Sequence, residues 1–322
     1  MKSERSTVPP GTDLKRLQRI DFNLTNLCNL KCRMCGSDSS SAWVEDDIHL
    51  RTNTDVGLFR PKEIEKLERA FATDEALIKY LDSLDLSALK SVSFLGGEPF
   101  LQPQMYLILN YLIERGIVDL KIRITSNASV MNEKIRLLAN FREVIFSLSM
   151  EGVGPVYRYI RGGDKTSSDQ VAANIAHLKS FGFFKFSINC AIGAYSVFGL
   201  ADLFMWLKTH LPELPPGFIL HHWDPIFEPS YLSLRVLPVE VRRRALEANL
   251  QKLKDEGFWD PDIVDGDMTN LMRLDLEHDP IKLKQFVTFT RALDRRRGES
   301  IISVVPEFAE LFEPSNLLPA TY

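Results

Sequence analysis

The stretch that decides the fold is residues 20–35, which read IDFNLTNLCNLKCRMC. Its first five residues alternate: Phe22 and Leu24 are apolar and the residues between them are polar, which is typical of a strand with one buried face. Three cysteines in the spacing Cys-x3-Cys-x2-Cys follow directly, at Cys28, Cys32 and Cys35. In α/β barrels the active face is built from loops at the carboxyl ends of strands, so this loop is a candidate active site.

Five more β-rich runs follow, separated by helical patterns: 91–95, 120–125, 144–150, 185–192 and 217–223. The runs up to residue 192 keep one apolar and one polar face, whereas a doubly wound sheet, covered by helices on both sides, reads apolar throughout. The sequence therefore predicts an α/β fold, a partial (β/α)6 barrel with an open polar lumen. An antiparallel sheet with one solvent-facing side is the alternative, and the intervening helices disfavour it.

The chain is predicted to divide into a polar N-terminal tail over 1–16, a barrel core over 17–228 and a mainly helical extension over 229–322. Prolines clustered between the last barrel run and the first helix of the extension mark the second boundary. A polar insertion over 36–72 is expected to hold a helix and then a loop over the barrel mouth.

Two helices are predicted in the extension, one opened by Pro238 and one by Asp279-Pro280. The second ends in three arginines, 295–297, which are expected on a solvated face where they complement the helix dipole.

Composition narrows the class of protein. The 322 residues include 39 basic and 43 acidic side chains, for a net charge of −4, which disfavours a nucleic-acid partner. No stretch has the roughly 20 apolar residues that a membrane span requires. With four cysteines, three of them within eight residues, a disulfide framework is excluded, and we expect a reducing, cytoplasmic location.

Three thiolates on one tight loop suit three irons of a cubane 4Fe-4S cluster, and the fourth iron is then left without a protein ligand. Zinc is the competing metal, but a structural zinc site needs four ligands, and the nearest further candidate is His49. On the zinc interpretation the protein would be a zinc-stapled interaction module that docks a partner through its helical extension. Because Cys190 has no other cysteine near it or after it, a single cluster is predicted.

At this point the sequence resembles the radical SAM superfamily, whose signature is this cysteine spacing after the first strand of a partial (β/α)6 barrel. The resemblance implies that S-adenosylmethionine (SAM) binds the open iron. It further implies that the reduced cluster cleaves SAM to methionine and a 5′-deoxyadenosyl radical. A reducing partner of flavodoxin or ferredoxin type is implied with it.

Further motifs carry the same resemblance. Gly96-Gly97-Glu98-Pro99 follows the second strand; its glycines let a ligand approach the backbone, and its carboxylate can accept the SAM amine. By resemblance, Ser149 would bind the ribose and Arg161 the SAM carboxylate, with Arg158 as the rival. The other residues expected near SAM are Met34 beside the adenine and Asn127 at the end of the third strand.

The polar strand faces predict a hydrogen-bonding substrate, namely a peptide, sugar, nucleoside or amino acid. Candidate contacts are Asn23, Arg123, Asn189 and His222. Two other enzymatic roles stay open at this point: transfer of a methyl or aminocarboxypropyl group from SAM, and maturation of a peptide that carries a leader.

Overall fold

The computed structural model describes residues 16–53, 73–162, 165–260 and 266–313. Nearly all of the predicted N-terminal tail, the predicted loop in the second half of the 36–72 insertion and the last residues of the extension lie outside this part. The first half of that insertion forms the expected helix, α1 (Val44–Asn53).

Six parallel strands form one sheet in chain order, with β1 and β6 at its two edges, so the predicted partial barrel is confirmed. The strands are β1 Arg19–Asn23, β2 Ser91–Leu95, β3 Lys121–Ser126, β4 Glu143–Ser149, β5 Phe184–Ile192 and β6 Trp223–Pro225. The residues predicted to face the helices, such as Phe94, Ile124 and Leu148, are buried, and so is Cys190. On the opposite face Asn23 and Asn189 are exposed.

The position predicted for the sixth strand is wrong. Residues Pro216–His221 form a short helix, α7, and the strand is only Trp223–Pro225. Pro216 stands in the first turn of this helix, where its fixed φ and missing N–H are tolerated. The apolar residues Ile219 and Leu220 are buried from the helix, which explains why a buried run was mistaken for a strand.

Helices cover the outer face of the sheet and form the extension. The side chain of Thr73 caps α2 (Asp74–Asp82), and the side chain of Ser167 caps α5 (Ser168–Ser180). The remaining helices are α2 Asp74–Asp82, α3 Pro103–Glu114, α4 Gly154–Arg161, α5 Ser168–Ser180, α6 Leu200–His210, α8 Val239–Asp255, α9 Gly266–Met272, α10 Pro280–Arg297 and α11 Ile301–Val304.

The two helices predicted in the extension, α8 and α10, are confirmed, and they pack on the barrel core. The prediction that the arginines at the end of α10 lie on a solvated face is wrong for Arg297, whose side chain is 1% exposed. Its Nε donates to Asp46 on α1 at 2.9 Å, and its Nη2 donates to the Lys31 carbonyl at 2.9 Å. An acidic partner more than 200 residues away in the chain cannot be read from a local charge pattern.

Within the described ranges, no helix combines the length and the apolar character that crossing a bilayer requires.

Candidate active site

The cysteine loop leaves β1 and is held at the barrel mouth by its neighbours. The Glu98 N–H donates to the Leu27 carbonyl at 2.8 Å, which joins the loop to the Gly-Gly-Glu-Pro turn. On the other side, Trp43 Nε1 donates to the Cys32 carbonyl at 2.7 Å. Gly97 has φ +51°, and a Cβ built on it would lie 2.4 Å from the Leu27 carbonyl oxygen. This glycine is therefore required by the close approach of the two loops.

The three thiols lie on this loop and are not joined in disulfides. The Arg161 guanidinium donates to Cys32 Sγ at 3.5 Å, and Asn127 Nδ2 lies 3.9 Å from Cys28 Sγ. The pKa of Cys32 is lowered, first because the Cys35 thiol donates to it and then because Arg161 faces it. Burial raises the pKa of Cys28 to about 11. N–H donors and a cation aimed at sulfur are the surroundings that stabilise ligating thiolates.

Among the described residues, no group of three or more His, Cys, Asp and Glu side chains is arranged around one metal ion. Thiolates that bind three different irons of a cubane need not converge on a single point, whereas the ligands of a zinc ion must. Three free thiols on one loop match the donors that a cubane cluster with one open iron takes, whereas a structural zinc site needs four ligands.

Glu98 is fully buried, and both of its carboxylate oxygens are engaged. Oε1 accepts from Ser126 Oγ at 2.8 Å and from the Phe100 N–H at 3.2 Å, and Oε2 accepts from the Asn127 N–H at 2.9 Å. The predicted cofactor residue thus ties the turn after β2 to the end of β3. Gln102 supports the same turn, because its Nε2 donates to the Gly96 carbonyl at 2.6 Å.

Burial raises the pKa of Glu98 to about 7 from an ordinary value of 4.5, against the opposing effect of its three donors. A carboxyl whose folded pKa is raised contributes stability that is fully present below about pH 4.5 and is lost as the pH rises through 7. We therefore expect the unfolding free energy of the cluster-free protein to fall over this window, and Glu98→Gln to flatten the fall. Urea denaturation at several pH values measures the unfolding free energy of wild type and variant.

Glu151, whose pKa burial also raises to about 7, contributes to the same slope, so the Glu98→Gln slope is reduced and not abolished. The exposed Glu133→Gln is the matched control and should keep the wild-type slope, since its pKa is lowered by hydrogen bonding to Arg136. Equal slopes for wild type and Glu98→Gln would contradict the prediction.

Glu151 and Arg161 form a buried ion pair beside the cysteine loop. Arg161 Nη2 donates to Glu151 Oε1 at 2.6 Å, while the side chains are 8% and 2% exposed. Glu151 Oε2 and Arg161 Nε are buried without a hydrogen-bond partner in the described residues. Since buried polar atoms are nearly always paired, a polar molecule bound beside the cysteine loop could supply partners for these two atoms. SAM, with an amine, a carboxylate and ribose hydroxyls, has the groups to do so.

The other predicted residues fall into two sets. The register places Ser149, at the carboxyl end of β4, beside Asn189 in the second half of β5, while Arg123 lies half-buried lower on β3. The Asn23 side chain contacts Gly96, since a Cβ built on Gly96 would lie 1.8 Å from Asn23 Oδ1. These residues share the lumen face of the sheet.

The second set comprises His222 and Met34. His222 follows α7, its Nδ1 is 2.9 Å from the Phe218 carbonyl, and its ring stacks on Phe218 with centroids 3.9 Å apart. These contacts hold the imidazole ring against Phe218. Met34 is half-buried and packs against the core. Arg158, the rival of Arg161, is exposed on the outer face of α4.

Sequence reasoning missed Arg33, which lies between Cys32 and Cys35 and is buried among residues of the extension. It also missed Asn29, whose Nδ2 donates to Ser129 Oγ at 2.8 Å and so links the cysteine loop to the end of β3. The position of Arg33 inside the cysteine motif was the one available signal.

The family model for the radical SAM superfamily matches residues 22–195, more than half of the chain. The chain belongs to the radical SAM superfamily. It is therefore a radical SAM enzyme, and its cofactors are a 4Fe-4S cluster and SAM.

No curated protein matches the chain. Among solved structures, it is similar to Streptococcus suis SuiB bound to its precursor peptide SuiA (17% identity, TM-score 0.43, covering 75% of this chain and 47% of that one). It is also similar to native anSMEcpe with bound AdoMet (18% identity, TM-score 0.47, covering 78% and 63%). The chain thus spans about half the length of SuiB.

Proposed function

We propose that this enzyme cleaves SAM reductively and that the resulting radical removes a hydrogen atom from a polar substrate at the barrel mouth. The observation that carries the proposal is the pairing of a three-cysteine loop with a buried Glu151–Arg161 pair that still has unpartnered polar atoms. When bound, the reduced cluster would supply one electron to the SAM sulfonium, breaking its bond to C5′ and giving methionine and a 5′-deoxyadenosyl radical.

The chain's own residues would hold and orient these groups. Cys28, Cys32 and Cys35 would ligate the cluster, and Arg161, next to Cys32 Sγ, would stabilise its negative charge. Arg161 Nε, which is buried without a partner in the described residues, would donate to the SAM carboxylate, and Glu151 Oε2 would accept from the SAM amine or a ribose hydroxyl. Glu98 would hold the turn after β2 to the end of β3 through its three protein donors, and the remaining acceptor capacity of Oε2 would serve the SAM amine.

The substrate class is proposed from the lumen wall. Asn23 and Asn189 are exposed there and Arg123 and Thr125 are half-buried, so the wall offers amide and guanidinium donors with amide and hydroxyl acceptors. Such a surface favours a peptide, sugar, nucleoside or amino acid, whose polar groups it can satisfy.

The test is anaerobic reconstitution with iron and sulfide, reduction, and incubation with SAM. We expect about four irons per chain, in line with a single cubane cluster, and formation of 5′-deoxyadenosine. Deuterium carried from a candidate substrate into 5′-deoxyadenosine then identifies the substrate. One equivalent of zinc in a colourless protein would instead support the interaction module, and a methylated or aminocarboxypropylated product would support group transfer.

We further propose that a flavodoxin- or ferredoxin-like donor docks outside the barrel beside the cysteine loop. A groove of about 840 Å³ lies there between α4 and the end of α10, and the exposed Arg158 and Lys165 line it together with Lys31 of the loop. Gly162 at the end of α4 contacts the Lys31 backbone, since a Cβ built on Gly162 would lie 3.0 Å from the Lys31 nitrogen. A negatively charged carrier bound here would be separated from the cysteines by little more than the loop itself.

Reversing the charge of this groove should slow reduction by a protein donor. For Arg158→Glu/Lys165→Glu we expect cluster reduction by an acidic ferredoxin or flavodoxin to slow on the order of tenfold at low salt, since charge steers such encounters. Stopped-flow absorbance measures the rate. Dithionite, which needs no docking surface, should reduce wild type and variant equally, and Lys79→Glu on the exposed side of α2 should behave as wild type. Unchanged reduction by the protein donor would place its docking site elsewhere.

A further inference from the structure

Arg33 lies inside the cysteine motif, one residue after Cys32, and its side chain is 0% exposed. Its Nε donates to the Tyr159 carbonyl at 3.0 Å, and its guanidinium lies 3.5 Å from the centre of the Tyr159 ring. Arginine stays charged in proteins, so a full positive charge is buried at the base of the cysteine loop.

This charge is balanced by residues from the far end of the chain. Arg33 Nη2 donates to both Asp294, in the last turn of α10, and Glu299, just after it. Asp294 is itself fixed, because its Oδ1 accepts from Tyr159 Oη at 2.9 Å and its Oδ2 from the Ile301 N–H at 2.9 Å. Removing one partner of a buried ion pair leaves the other uncompensated, which makes this contact costly to break.

A second contact joins the same two segments. Arg297 donates to the Lys31 carbonyl, next to Cys32, and to Asp46 on α1. The end of α10 thus holds the cysteine loop at two points, the Lys31 carbonyl and the Arg33 side chain. No such contact was expected of an extension that carries none of the cysteine ligands.

We propose that Arg33, Asp294 and Glu299 form a charged anchor that positions the cysteine loop for the cluster and sets the cluster's reduction potential. This inference rests on the proposed function, since it needs a cluster bound to the three cysteines. The charge of Arg33 favours the reduced, more negative cluster, and the two carboxylates oppose it. The extension therefore contributes two charged residues, Asp294 and Glu299, that influence the reduction potential of the cluster.

The test compares Arg33→Met, Asp294→Asn and Glu299→Gln with Arg242→Met in the reconstituted enzyme. Arg242 is an equally buried arginine of the extension, bound to the carbonyls of Leu237 and Met272 away from the cysteine loop. The readouts are the midpoint potential, from a redox titration followed by EPR, and the rate of iron loss to a chelator. Thermal unfolding gives the stability of each variant.

We expect a lower potential in Arg33→Met and higher potentials in Asp294→Asn and Glu299→Gln. Iron loss from Arg33→Met should be faster on the order of tenfold, as for other residues that support metal ligands. Arg242→Met should lose stability but keep the wild-type potential and iron-loss rate. The opposite signs matter, because a merely loosened loop would shift the potential in the same direction in all three anchor variants.

Shifts of one sign, no shifts, or iron loss from Arg33→Met no faster than from Arg242→Met would overturn the anchor. If Arg33→Met does not fold, the two carboxylate variants decide, and wild-type potentials in both overturn the proposal. A wild-type protein that assembles the cluster but does not cleave SAM refutes the proposed function alone. One that assembles no cluster refutes both.

Discussion

Cys28→Ala, Cys32→Ala and Cys35→Ala are each expected to lower 5′-deoxyadenosine formation to background and to prevent stable assembly of the cluster. Each substitution removes one of the three thiols gathered on the loop after β1, and the remaining cysteine of the chain, Cys190, is buried in the core. The loss is measured by iron and sulfide content, visible absorption and chromatography of the nucleoside product.

Cys190→Ala is the matched control for these three variants. Its thiol is buried on β5, so the substitution should cost about 1 kcal/mol of folding free energy and leave iron content and SAM cleavage intact. The three loop variants should remain folded, because the loop is also held by Trp43 and Arg33. Cluster and activity retained in any one of them would refute the assignment of that cysteine.

Gly97→Ala is expected to have the second-largest effect. The backbone at Gly97 has φ +51°, a conformation that costs an alanine about 1–2 kcal/mol. In addition, its Cβ would overlap the Leu27 carbonyl oxygen, a backbone atom that cannot rotate away. Forcing such a contact adds about 1–3 kcal/mol and pushes the cysteine loop from the turn after β2. Both the unfolding free energy of the cluster-free protein and its capacity to bind iron should fall.

Gly116→Ala is the control that separates the cost of a positive φ from the cost of the contact between Gly97 and Leu27. Gly116 follows α3 with φ +68°, and nothing lies within 4 Å of a Cβ built on it. The unfolding free energy of this variant should fall only by the cost of the backbone conformation, and the variant should bind iron as the wild type does. Equal losses in the two variants would show that the contact between Gly97 and Leu27 contributes nothing.

Local patterns in the sequence were sufficient for most of the fold. The two-residue alternation of the strands and the helix starts at Pro238 and Asp279-Pro280 depend on neighbours in the chain, and they are predicted correctly. The sixth strand was misplaced because an apolar run such as Phe218–Leu220 suits a buried strand and a buried helix equally well. Pro215 and Pro216, which precede this run, indicate the start of a helix.

The candidate site was predictable as a list of residues but not as a set of contacts. The motif identifies Glu98, yet only tertiary structure shows that Ser126 and Asn127 occupy its carboxylate. The same holds for Arg33, whose partners Asp294 and Glu299 are 261 and 266 residues away. Contacts over such separations depend on the packing of whole elements, which residue spacing does not encode.

The distance in the chain between Arg33 and Asp294 also bears on when the protein matures. During synthesis Arg33 leaves the ribosome long before its partner Asp294 on α10, which is 261 residues behind. At about 5–20 residues per second, that interval lasts roughly 13 to 50 s. For this time the nascent loop has no anchor from α10, so iron and sulfide delivery to this chain is best timed after translation is complete.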